Sequence, residues 1–166
     1  MIYLERFFPR FVLVNNNKKS YFMSKHFEII VGTMLGASEY VADAIAERLD
    51  ANGHTHTIHT EPNLDDIKTD SPWIVCTSTH GAGELPDNIQ PFAQQLTQSD
   101  LSSVNAYVIG LGDTSYDTFC FGAKEMEKHI TDNGGKLVAE ALYIDVLEHP
   151  IPEDAAVEWF DAQLAG

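Results

Sequence analysis

The chain has 166 residues, 44% of them hydrophobic, and carries 25 acids against 10 Lys and Arg, a net charge of −15 at pH 7. That length fits one domain with a substantial core, and the surplus of negative charge argues against nucleic acid and anionic membrane surfaces, which call for basic patches. No apolar run approaches the roughly 20 residues that cross a bilayer as a helix, so the expectation is a soluble protein.

Cys76 and Cys120 form no CxxC pair. They suit a reducing, cytoplasmic compartment, and both are expected to be packing residues. Residues 1–22, "MIYLERFFPRFVLVNNNKKSYF", hold Arg6, Arg10, Lys18 and Lys19 against Glu5, a charge of +3 that leaves −18 on the remainder. Pro9 and Arg10 interrupt the apolar segment and no small-residue cleavage site follows, so it does not read as a secretory signal. It reads as an upstream or disordered arm, with the folded domain spanning residues 23–166. The charge on that domain suits electrostatic steering toward a basic partner protein.

Phe27 to Val31 reads as a buried strand, and Ser38 to Asn52 as a helix with Tyr40, Val41, Ala44, Ile45 and Leu49 on or near one face, ended by Gly53. His54 to His59 alternates as a second strand. Asn63 to Lys68 suggests a short helix, and Pro72 to Thr77, "PWIVCT", a third strand whose continuous apolar run marks burial on both faces. A helix over Asn88 to Gln98, a strand over Asn105 to Leu111 and a helix over Phe119 to Asn133 follow. A fifth strand covers Leu137 to Ile144, and Pro152 opens a last helix anchored by Trp159 and Phe160. This alternation predicts an α/β domain, a doubly wound five-stranded parallel sheet with helices on both faces and strand order 2-1-3-4-5.

In such a sheet a ligand lies beyond the carboxyl ends of the strands, beside the point where strand order reverses. Three loops meet there. In "GTMLGAS", residues 32–38, a helix N-terminus offers free N–H groups and partial positive charge, Thr33 and Ser38 add hydroxyls, and Gly36 and Ala37 let the backbone come close. With no Lys or Arg in the loop, the anion this suits is a phosphate monoester. GxxxxGK[ST] and GxGxxG are both absent, which disfavours a nucleotide triphosphatase and an ordinary dinucleotide site. "STHGAGELPDN", residues 78–88, and "GLGDTSYDTFCFG", residues 110–122, expose backbone donors and acceptors suited to the edge of a flat heterocycle, with Tyr116 and His80 as planar side chains that could stack on it.

Together these loops resemble the FMN-binding domain of the flavodoxin family, and most closely the MioC-type short flavodoxins and the flavodoxin-like domain of sulfite reductase. The likeness runs from Phe27 to about Leu164. It implies FMN as cofactor, with the phosphate held by Thr33, Met34, Leu35, Gly36, Ala37 and Ser38. It places the isoalloxazine between Ser78, Thr79, His80 and Gly81 on one side and Leu111, Gly112, Asp113, Thr114, Ser115, Tyr116, Asp117, Thr118, Phe119 and Cys120 on the other. Tyr116 matches the outer stacking tyrosine, and Gly81 the glycine whose carbonyl turns toward flavin N5 on one-electron reduction. Leu35 stands where flavodoxins commonly carry a second hydroxyl, and His80 where many have an aromatic.

The function so implied is electron transfer, with the redox chemistry supplied by the flavin and tuned by the protein. Glu84, Asp87, Asp113 and Asp117 disfavour an anionic reduced flavin and so favour single-electron steps. The expected partners are a flavin-containing NADPH-dependent reductase as donor and a metalloenzyme as acceptor, docked on the acidic rim of a monomer. The alternative is an FMN-dependent quinone or flavin reductase acting directly on NAD(P)H. A signalling receiver of the same topology would need an acidic cluster and a phospho-accepting Asp where Val31, Gly32, Ser78 and Thr79 stand. His54 and His56 find no further ligands for a metal and read as part of an exposed edge strand.

Overall fold

Side chains alternate across a strand, and in the strand His26–Gly32 (β3) this sends Phe27, Ile29 and Val31 to one side and Ile30 to the other. The next strands in the sheet divide in the same way. In Trp73–Thr77 (β5), Ile74 and Cys76 join the first group, and Trp73 and Val75 the second. In Asn105–Gly112 (β6), Tyr107, Ile109 and Leu111 join the first, and Ala106 and Val108 the second. Two separate apolar cores follow, one on each face of a sheet that water does not reach from either side.

The computed structural model describes Phe11, Val12 and residues 22–166. Phe11–Val12 (β1) pairs antiparallel with Phe22–Met23 (β2). The remaining residues expected to form the arm lie outside the described residues. No helix among those described is long and apolar enough to cross a membrane.

The main sheet runs Thr55–His59 (β4), β3, β5, β6, with every pairing parallel. This is the expected order 2-1-3-4-5. Helices Ala37–Ala51 (α1) and Pro152–Ala165 (α4) supply the first core, joined by an Arg48–Asp161 ion pair at 2.9 Å. Helices Gln90–Leu96 (α2) and Phe121–Asp132 (α3) supply the second. Phe160 of α4 meets Tyr107 edge-on with centroids 5.5 Å apart, and Phe27 likewise at 6.2 Å. Such pairs add about 0.5–1.5 kcal/mol each beyond area burial.

The fifth strand is broken where one piece was expected. Lys136–Leu137 (β7) pairs with the start of β6 and Leu142–Asp145 (β8) with its end. Val138 still donates to the Ala106 carbonyl (2.9 Å), and the break falls at Ala139, Glu140 and Ala141, residue types that fit a pleated, half-buried surface poorly. The short helix expected at Asn63–Lys68 is a single 3-10 turn, Leu64–Asp66, capped by Asn63. His54 is buried ahead of β4, with its ring edge-on to Phe27 at 5.3 Å, and is not on an exposed strand face.

Gly32, Thr77 and Gly110 are in register across β3, β5 and β6. The three loops that follow therefore start from one sheet edge, as the strand order requires.

A Cβ at Gly110 would sit 2.5 Å from Ala123 Cβ of α3, so glycine here is what lets the helix lie close on the sheet. Gly110→Val is expected to destabilise the fold by about 1–3 kcal/mol, read as a lower urea midpoint; an unchanged midpoint would refute the close packing. Burial pushes both cysteine thiols up to about 12. Neither should react with an alkylating reagent at pH 8 until the protein is denatured, and rapid labelling of the native protein would contradict this.

Candidate functional site

The loop between β3 and α1 is shaped by its own backbone. Gly36, at φ 94°, takes a left-handed conformation just before the helix, and a Cβ there would meet nothing within 4 Å. Conformation and not space is what calls for glycine. Its N–H donates to Thr33 Oγ1 (2.8 Å), and the Thr33 N–H donates to Asn88 Oδ1 (2.9 Å). Asn88 Nδ2 donates in turn to the carbonyls of Val31 and Thr60, each at 2.8 Å. One amide from the second loop thus fixes the first.

What the loop leaves unpaired is informative. Among the described residues, the backbone N–H groups of Met34, Leu35, Ala37 and Ser38 have no acceptor. Ser38, in the first turn of α1, is 0% exposed, yet its Oγ has no hydrogen-bond partner. A buried hydroxyl left unsatisfied costs about 1–3 kcal/mol, so this cluster of donors fits an acceptor arriving from outside the chain. The positive end of the α1 dipole gives that acceptor its sign. Leu35, 97% exposed, contributes no polar side-chain atom.

Beside this loop lies a cavity of about 420 Å³. Ala37 reaches it from the first loop, Ser78, Thr79 and Gly81 from the second, and Leu111, Gly112 and Asp113 from the end of β6. Tyr116, Thr118, Phe119 and Cys120 line it farther along the third loop. The structure therefore brings together eleven of the twenty residues singled out from the sequence. Thr114, Ser115 and Asp117 share the third loop without lining the cavity, and His80 stands outside it, exposed. The His80 and Glu84 main chains form an antiparallel bridge, each N–H donating to the other's carbonyl at 2.8 Å. Of the other first-loop residues, Met34, Leu35 and Ser38 belong with Ala37 to the unpaired donors beside the cavity, and Thr33 and Gly36 have their N–H groups engaged in shaping the loop.

Two predicted site side chains are engaged in holding the cavity together. Thr79 Oγ1 accepts from the Gly122 N–H (3.0 Å), satisfying a free donor in the first turn of α3. Phe119 packs edge-on against Tyr143, centroids 6.4 Å apart. Tyr143 is held on its other sides by a hydroxyl donated to Glu127 and by the Lys124 ammonium 5.3 Å above its ring. Burial pushes the Tyr143 phenol up, and its bond to Glu127 adds to this, so it remains a donor at any ordinary pH. Tyr116, 64% exposed, presents its ring at the cavity mouth.

Three contributors escaped the sequence reading. Asn88, the last residue of the second loop, buttresses the first loop. Val146 lines the cavity from beyond β8. Asp145, just before it, accepts from the N–H (3.4 Å) and hydroxyl of Thr114 and from the Leu147 N–H (3.0 Å). The Thr114 hydroxyl, followed by the Leu147 and Thr114 N–H groups and His149, holds the Asp145 carboxyl below the usual carboxylate range. An acid closing an apolar strand, as in "LYID", was the signal available.

The residues match the family model described as Flavodoxin over positions 29–160. The chain is 44% identical over 134 residues to protein MioC of Escherichia coli (strain K12), covering 79% of this chain and 90% of that protein. It is 39% identical over 137 residues to flavodoxin YqcA of the same strain, covering 80% and 92%. Its structure matches a point mutant of flavodoxin from Pseudomonas aeruginosa with a TM-score of 0.76 at 33% identity, covering 85% of this chain and 99% of that one. With the sheet order, the in-register loops and these likenesses in agreement, the chain belongs to the flavodoxin family as a short, MioC-type electron-transfer protein whose cofactor is FMN.

Proposed function

We propose that FMN sits with its phosphate on the loop of residues 33–38 and its ring in the adjoining cavity, and that the protein carries single electrons from a flavin-containing NADPH-dependent reductase to an acceptor metalloenzyme. The observation that carries the reading is the buried, partnerless Ser38 hydroxyl surrounded by four unpaired N–H groups. Those donors match the oxygens of a phosphate monoester, and the neighbouring cavity of about 420 Å³ falls in the range of small-molecule sites. When bound, the flavin supplies the redox chemistry.

The chain's own residues have three tasks. Met34, Leu35, Ala37 and Ser38 donate to the phosphate while Asn88 keeps their loop in shape. Tyr116 covers the outer face of the ring, and Gly81, Leu111 and Gly112 keep the backbone near its edge. Asp113 beside the cavity and exposed Glu84, Asp87 and Asp117 on the second and third loops supply the negative charge that meets a partner approaching the flavin. A basic face on the partner would be steered to this rim, and its encounter rate should fall as salt screens the charge. The protein works as a monomer, exchanging one partner for another at the same edge.

Ser38→Ala should weaken FMN binding about tenfold, the effect of losing one hydrogen bond to a charged group. It should leave apoprotein stability unchanged or slightly raised, because the deleted hydroxyl has no partner there. Calorimetric titration with FMN beside urea unfolding of the apoprotein checks both halves, and unaltered affinity would remove Ser38 from the phosphate site. Anaerobically, NADPH alone should leave the FMN-loaded protein oxidised, and adding a flavin-containing NADPH-dependent reductase should bleach its flavin absorbance. Bleaching by NADPH alone would favour a directly acting quinone or flavin reductase.

A further inference from the structure

We infer that Asp145, which does not line the cavity, is the positioning residue that holds the ring-binding wall closed, by tying the loop that carries Tyr116 to the turn that carries Val146. The inference rests on the cavity being the flavin-ring site.

The hydrogen bonds of the third loop are the reason. Within residues 113–117 the loop bonds to itself: the Tyr116 N–H donates to Asp113 O (3.1 Å), and the Ser115 N–H (2.8 Å) and hydroxyl (2.5 Å) donate to Asp113 Oδ1. Among the described residues, the hydrogen bonds that leave this stretch are the two from Thr114, and both end on Asp145. The same carboxylate takes the Leu147 N–H, while the Asp145 carbonyl accepts from the Glu148 (3.1 Å) and His149 (2.9 Å) N–H groups. The Val146 N–H, between them, donates to Gly112 O (2.9 Å). Asp145 is therefore the junction of the two segments that close the cavity, and at 7% exposed it is shielded from competing water.

The chemistry calls for a carboxylate at this junction. Three donors converge on two oxygens, and an ionised carboxylate accepts at both. An amide would turn an NH₂ toward at least one of these donors. Thr114, with both its N–H and its hydroxyl engaged, is the matching half of the latch. The donors that face the phosphate belong to the first loop and share no hydrogen bond with Asp145. Loss of the latch should loosen the hold on the ring and leave the phosphate grip intact.

That separation gives the test. Apoproteins of the wild type, Asp145→Asn, Thr114→Val, Thr114→Ser and the Asp145→Asn/Thr114→Val double variant are titrated with FMN and with riboflavin, which lacks the phosphate. FMN dissociation rates are measured alongside, and urea midpoints confirm folding. Asp145→Asn is expected to weaken both ligands by the same factor, about tenfold, through faster dissociation. Thr114→Val should do the same, Thr114→Ser should lose less, and the double variant should be no worse than Asp145→Asn alone. A purely structural role would lower the urea midpoint and leave flavin dissociation from the folded protein unchanged. Unchanged dissociation in folded Asp145→Asn, or additive losses in the double variant, would overturn the inference. Should Asp145→Asn fail to fold, Thr114→Val decides by the same dissociation measurement. A wild-type protein that takes up no FMN would instead sink the flavin reading on which the inference rests.

Discussion

Everything at the candidate site depends on three adjacent parallel strands being held in one register. Gly32 and Thr77, the last residues of β3 and β5, stand in register with Gly110, and β6 runs on to Gly112, so the loops that follow leave the same edge of the sheet. Strand order does the rest: the chain reverses direction across the sheet at β3 and β5, so helices depart to opposite faces and leave a crevice between them. A one-residue slip of β5 would turn Trp73 and Val75 toward the wrong core and break the alignment of the loops. The two apolar cores that fix the register thus also fix the position of the unpaired donors at the start of α1.

The crevice contains two kinds of surface. At the start of α1 the protein is polar and incomplete, with a buried hydroxyl and several N–H groups lacking acceptors. At its ring end, Leu111, Phe119, Cys120 and Val146 are apolar, and the Thr79 oxygen and the Thr114 N–H are already engaged within the protein. A ligand with an anionic tail and a flat, largely apolar head is complementary to both at once. The surplus of acid lies farther out, at positions such as Glu84 and Asp117 that are exposed to solvent. Exposed charge of this kind acts on an approaching protein, and the donors at the start of α1 are dipoles and a hydroxyl.

The sheet and the three glycine-bearing loops were legible because their signals are local: apolar runs of strand length, glycines at the turns, a helical period after the first loop. Less of the support behind them was legible. Asn88 bonds to Thr33 across 55 positions, and Asp145 to Thr114 across 31, and no short pattern announces such pairings. Thr79 was expected at the ring for its place in the second loop, and its oxygen turns out to serve the first turn of α3. The break in the fifth strand could be suspected from Ala139 and Glu140, but its register on β6 is set by tertiary packing. His54 reads as a polar edge residue from its neighbours in the chain, and Phe27, distant in sequence, is what covers it.

The central claim is that the free donors at the start of α1 are the phosphate site. Amide resonances of the apoprotein, assigned and followed by nitrogen-edited NMR as FMN is added, test it most directly. The account predicts that Met34, Leu35, Ala37 and Ser38 show the large downfield shifts and slowed exchange of amides that have gained a charged acceptor. Saturable binding of FMN that leaves these four amides unmoved would contradict it.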